Sequence, residues 1–308
     1  MFNSILAQMC FLFLLIILGF ILMKLKLVPD NSEKVLSKLE NLLFIPALVL
    51  STFTANFTVE KLSSAGKLLL GSLIIEAVVI PLSVLLVRLC TKDEYIRKIY
   101  LYGLSFSNFG FMGNAIVSSL FPDVFLEYLI FTLVLWVFIY AWGVPYLLIE
   151  KKEKGIKGQL KAFVNPMFIC AIIGMTIGIT GLKMPSFINS LVKSLGDCMS
   201  PLAMIITGMT IAKIDLKSVL KIKSIYFISI IRLLVYPLIF IGVCTLFKPT
   251  YFGNAFMICA VASLAMPLGL NTIVIPSAYG MDTKVASGMA IISHLLSLIT
   301  IPLIFSLI

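Results

Sequence analysis

The chain has 308 residues, 60% of them hydrophobic and 12% charged, with a mean hydropathy of +1.11. A soluble domain is about a quarter charged, so this composition excludes a water-facing globule and makes the bilayer the solvent. The net charge of +10 suggests nucleic acid only until its distribution along the chain is read. A helix needs about 20 apolar residues to cross a hydrocarbon core. In chain order, spans are predicted near 4–23, 40–55, 68–88, 98–120, 127–149, 165–182, 191–212, 224–246, 254–279 and 285–307. Every backbone donor and acceptor in lipid must be satisfied within its segment, so the expected fold is all-α with ten transmembrane helices.

The first span has no basic residue before it and is followed by Lys24 and Lys26, which reads as a membrane span rather than a cleavable signal peptide. With the N-terminus outside, the predicted cytoplasmic loops hold 18 basic residues, including Lys151, Lys152 and Lys154. The external side holds five: Lys61, Lys67, Lys183, Lys193 and Lys248. Basic residues near span ends stay in the cytoplasm, so both termini are expected outside a plasma membrane, and the charge orients the chain instead of binding nucleic acid. Cys10, Cys90, Cys170, Cys198, Cys244 and Cys259 show no metal or redox spacing, and neither metal nor cofactor is expected.

The two halves repeat. Gly19 matches Gly174 and Pro46 matches Pro201 at an offset of 155; Pro81 matches Pro237 at 156; Asn114 matches Asn271, and Pro145 matches Pro302, at 157. Five spans per half is odd, so the second half must enter the membrane from the opposite side, as in inverted-repeat transporters. The expected division is a first five-helix repeat over 1–150, a short cytoplasmic loop over 151–164 and a second, inverted repeat over 165–308.

In such folds the substrate site lies where helices break at matching positions near the midplane. Span four carries Ser107, Asn108, Gly110, Gly113, Asn114 and Ala115; span nine carries Ser263, Pro267, Gly269, Asn271 and Thr272. Gly and Pro weaken a helical ladder, and Asn can replace the lost backbone partners. Each half-helix starting at midplane would point unpaired N–H groups and a partial positive charge into a cavity, which attracts a carboxylate. The substrate-binding candidates are Asn108, Asn114, Asn271 and Thr272, with Gly110, Gly113, Ala115, Pro267 and Gly269 as crossover backbone. The competing reading is that these small and polar residues only let helices pack closely.

These residues also carry a family likeness. Asn108-Phe109-Gly110-Phe111-Met112-Gly113-Asn114, Asn165-Pro166, Gly196-Asp197 with Pro201-Leu202-Ala203, and Met266-Pro267-Leu268-Gly269 together resemble the auxin efflux carrier family, in its bacterial branch of malate- and malonate-type carriers. The resemblance spans essentially the whole chain. It implies a scaffold of spans one, two, six and seven, and a transport unit that moves like an elevator. It places the substrate-contacting asparagine of the family at Asn108 and the crossover prolines of plant members at Ala115 and Thr272.

Charges inside spans are functional candidates by default. Glu76 and Arg232 occupy equivalent repeat positions, either as a buried pair fixing spans three and eight or as an anion contact and a proton carrier. Asp197, near the start of span seven, reads as a cap, a proton site or a cation ligand. His294, the only histidine, is either a satisfied core residue or a proton relay. The expected function is secondary transport of a small organic anion, with the lipid bilayer and an optional second copy of the chain as further partners. A sodium-coupled symporter of the bile-acid carrier type would want acids at the breaks, and none is present. An intramembrane enzyme would want a Ser–His, paired-acid or metal constellation, and a receptor would want a soluble output domain.

Overall fold

A computed structural model describes residues 2–148, 166–213, 219–247, 253–278 and 281–308. The predicted loop 151–164 with Lys154, and also Asn165, Lys217 and Lys248, lie outside the described residues. The described chain is helical, in the order α1 (Phe2–Lys24), α2 (Ser32–Asn56), α3 (Lys61–Cys90), α4 (Glu94–Ser105), α5 (Phe109–Leu120), α6 (Pro122–Leu148), α7 (Pro166–Thr180), α8 (Ser186–Ala212), α9 (Lys223–Phe247), α10 (Asn254–Leu264), α11 (Asn271–Ala278) and α12 (Lys284–Phe305). Seven of the helices, α1, α2, α3, α6, α8, α9 and α12, are long and apolar enough to cross a membrane. The other three predicted spans correspond to shorter pieces: span four is α4 and α5, span six is α7, and span nine is α10 and α11.

Apolar residues cover these helices all round, as a membrane span requires. On α1, Met9, Leu12 and Ile16 are buried while Leu14 and Leu18 face outward. In lipid the attraction between helices comes from close packing, which favours small residues at the contact. That is how α1 lies along α8. A Cβ at Gly19 would come 2.0 Å from the carbonyl oxygen of Ile205, and one at Gly208 would come 1.9 Å from that of Ile16. The contact of α2 with α7 is built the same way, with Gly174 set against Leu50 and Phe53.

Among the described residues, four stretches widen into π-helix: Glu40–Phe44, Phe109–Gly113, Ile139–Leu148 and Ile231–Val235. A proline lies within or just after three of them. Pro46, Pro145 and Pro237 cannot donate a backbone hydrogen bond, and each ring crowds the carbonyl four residues earlier. Those carbonyls belong to Leu42, Ala141 and Leu233, all inside π turns, where the looser ladder relieves the crowding.

Candidate functional site

The breaks fall where glycine, proline and asparagine placed them, with one correction of detail. Helix α4 ends at Ser105 and α5 begins at Phe109; α10 ends at Leu264 and α11 begins at Asn271. Between those ends the chains cross antiparallel, Ser107 against Leu268, and the Asn108 N–H donates to the Pro267 carbonyl at 2.7 Å. Gly269 permits the approach, since a Cβ there would lie 3.2 Å from the carbonyl oxygens of both Phe106 and Ser107. Ala115 and Thr272 are not in this extended backbone. Ala115 is buried inside α5, and Thr272 sits in the first turn of α11 with its hydroxyl donating to the Gly269 carbonyl at 2.8 Å. Gly110 and Gly113 lie in the π turn that opens α5, where a Cβ would strike Trp136 or the Tyr128 hydroxyl.

Asn108 and Asn271 line one crevice together with Tyr102, Ser107, Gly110 and Gly269, walled by Trp136 and Ile139 of α6. Its free volume is about 10 Å³, room for roughly one water. The first turns of α5 and α11 both border it, so the positive ends of two half-helices meet there. The Asn271 amide donates to the Tyr102 hydroxyl at 3.1 Å. The Asn108 amide nitrogen lies 3.0 Å from His294 Nε2, and its oxygen, buried, has no hydrogen-bond partner. Asn114 is elsewhere. Its amide donates to the Gly110 carbonyl one turn back at 2.8 Å, and it borders a second crevice between α2, α6 and α7.

Glu76 and Arg232 are both buried and close enough to act on each other electrostatically, but they form no ion pair. The expected direct pair is therefore corrected. Arg232 donates instead to the carbonyls of Leu104 at 2.8 Å and Ser263 at 2.5 Å, the last turns of α4 and α10. Carbonyls at a helix C-terminus lack partners in their own ladder and carry the negative end of the macrodipole, so a guanidinium satisfies both needs. One arginine closes both half-helices. Asp197 is no buried charge: it is exposed, ends the first segment of α8, and pairs with Lys193 one turn back at 2.7 Å. His294 is buried in α12, joined to the site through Asn108.

The sequence reading missed Tyr102 and Trp136. Tyr102 lies six residues before Asn108 in a half-helix already marked as broken, which was the available signal; Trp136 comes from span five, where nothing marked it. Phe109, Trp136 and Tyr140 form a run of ring contacts at 5.0 and 5.7 Å along the wall.

A family model described as membrane transport protein matches residues 4–305. No curated protein sequence matches the chain at a significant level. Broken apolar helices whose polar ends converge on one crevice, within a multi-pass helical protein, are in keeping with that match; the chain belongs to the membrane transport protein family and is a membrane transporter.

Proposed function

We propose that this transporter carries a small organic anion through a carboxylate group, as a secondary transporter of the elevator type in the plasma membrane with both termini outside. The observation that carries the reading is the crevice at the crossing. Two half-helix N-termini border it, Asn108 and Asn271 line it, and among the described residues no acidic side chain lines it. Preformed N–H groups and amides in a low-dielectric setting favour a carboxylate over a cation or a neutral sugar.

The inverted-repeat architecture, with ten spans divided at the loop 151–164, has support from packing. Gly19 abuts Ile205, and Gly174 abuts Leu50; 174 minus 19 and 205 minus 50 are both 155. The same contact is made twice, with the halves exchanged. In this reading α1, α2, α7 and α8 are the scaffold, and the helices around the crossover move against it.

Sodium coupling is disfavoured by Arg232. Half-helix C-terminal carbonyls are where transporters of this kind hold a coupling cation, and here two of them are bound to a guanidinium. The test is a thermal-shift screen of purified protein against mono- and dicarboxylates, in sodium and in potassium buffers. Stabilisation by carboxylates, equal in both buffers, is expected. Stabilisation by sodium alone would overturn the coupling assignment, and stabilisation only by cations or neutral solutes would overturn the anion assignment.

A further inference from the structure

We propose that His294 is a proton-binding site, and that its protonation reverses the Asn108 amide and so couples uptake of one proton to binding of one carboxylate. This rests on the carboxylate reading of the crevice.

Hydrogen-bond chemistry fixes the starting state. His294 is 1% exposed, with Nδ1 2.7 Å from the Ala290 carbonyl oxygen and Nε2 3.0 Å from Asn108 Nδ2. A carbonyl only accepts, so Nδ1 carries the hydrogen; an amide nitrogen only donates, so Nε2 presents its lone pair. The ring is neutral in this arrangement. The amide then turns its nitrogen towards the ring, and its oxygen is left buried and unpartnered. An unpaired buried acceptor is unfavourable by itself, and an oxygen at the free end of the amide would repel a carboxylate.

Placing a proton on Nε2 makes both ring nitrogens donors. Asn108 must then offer oxygen to the ring, and a half-turn of the amide does this. The orphaned acceptor becomes paired, and the NH₂ group is released to donate to an anion. Only a proton moves, from solvent to the Nε2 lone pair, and the added +1 faces the −1 of the bound carboxylate.

The surroundings make the two events interdependent. Of the elements packed against α12, α9 brings Arg232 and Tyr236, the latter bonded to Ser83, α4 brings Tyr100 and Tyr102, and α11 carries no titratable side chain. Arg232 is bound to the Leu104 and Ser263 carbonyls, Tyr100 to Ser224, and Tyr102 accepts from Asn271. The remaining charges of α1, α4 and α9 stand near helix ends, at Lys24, Glu94, Arg97, Lys98 and Lys223. On α8, Lys193 and Asp197 are exposed and paired with each other. The ring's two polar contacts are both uncharged. A buried imidazolium without a counter-charge is costly, and a buried carboxylate alone is equally so. Each lowers the other's cost, and by linkage each must tighten the other's binding.

The chain has one histidine, so protein grown with ¹⁵N-histidine gives a single imidazole signal pair. Acetate, benzoate and malonate are titrated between pH 6 and 8, with thermal shift reading affinity and ¹⁵N resonances reading the ring. The expected result is an Nδ1–H neutral ring in free protein and a doubly protonated ring in the bound state. Affinity should tighten by about tenfold for each unit of falling pH while the free ring is neutral and the bound ring charged, the slope of one linked proton. His294→Gln should bind with no such slope; if that variant does not fold, the ¹⁵N signal of the unaltered protein still decides. PH-independent binding with the ring neutral throughout would overturn the proton site and leave the carboxylate reading standing. No stabilisation by any of the three acids would overturn the carboxylate reading, and the coupling with it.

Discussion

Two places in this molecule bring backbones into contact, and they do it by opposite means. Where α1 crosses α8, side chains are deleted: Gly19 and Gly208 let carbonyl oxygens of the facing helix sit where a Cβ would be. Both helical ladders stay closed there, and no polar group needs a partner. Where α4–α5 crosses α10–α11, the ladders are open, and the exposed groups are answered one by one. The Asn108 N–H meets Pro267, the Ser107 hydroxyl meets the Ser263 carbonyl at 2.7 Å, and Arg232 meets Leu104 and Ser263. The first crossing is sensitive to volume and indifferent to chemistry. The second is the reverse, and only such a crossing can respond to a ligand.

The largest effect is expected at the polar crossing. Arg232→Gln removes the donor to two half-helix ends and leaves the buried carbonyls of Leu104 and Ser263 short of a partner, which should lower stability by about 2–6 kcal/mol, at about 1–3 kcal/mol for each. Adding Glu76→Gln should restore little of that, because the two carbonyls stay without their donor. Chemical denaturation in detergent measures both, and a normally stable single variant would mean that the opened ladders need no cation. At the glycine crossing, Gly208→Ala and Gly208→Ser should each cost about 1–3 kcal/mol or more, and by similar amounts, because size alone is at issue. A serine much better tolerated than alanine would break the contrast between the two regions.

Smaller effects sharpen it. Asn108→Ala should weaken carboxylate binding by about 1.5–3 kcal/mol, the worth of a hydrogen bond to a charged group. That is roughly 10- to 150-fold in a binding titration. Asn114→Ala should lose only about 0.5–1.5 kcal/mol of stability, with affinity unchanged, since its amide serves the Gly110 carbonyl of its own helix. A binding defect as large as that of Asn108→Ala would return Asn114 to the site.

Much of the architecture was legible because the bilayer imposes it. Hydropathy located the seven long helices, and clustered Gly, Pro and Asn marked spans four and nine as the discontinuous ones. The exact crossing was not legible. Ala115 and Thr272 were offered by alignment to plant carriers, but alanine is at home in a helix, and the chain opens earlier, at Ser107 and Leu268. Arg232 was marked as important, yet its partners are main-chain carbonyls, which have no signature in sequence. His294 and Asn108 meet across 186 residues, and nothing local to either names the other. The exposed position of Asp197 had a local sign that went unread, a lysine four residues earlier, which is the spacing of a surface pair on a helix.

The π turn at Phe109–Gly113 differs from the other three in having no proline behind it. A turn of that kind holds one residue more than its α counterpart, and each residue on an α-helix advances the chain by about 100°. Deleting a single residue there would close the ladder without a gap, because the wider turn already absorbs that extra 100°, and Asn114 and the turns after it would keep the side they face. The change of register would be confined to the turn itself, whose Phe109, Gly110 and Phe111 line the crevice. One residue fewer at this turn would therefore alter the wall of the crevice and leave the rest of α5 facing as it does.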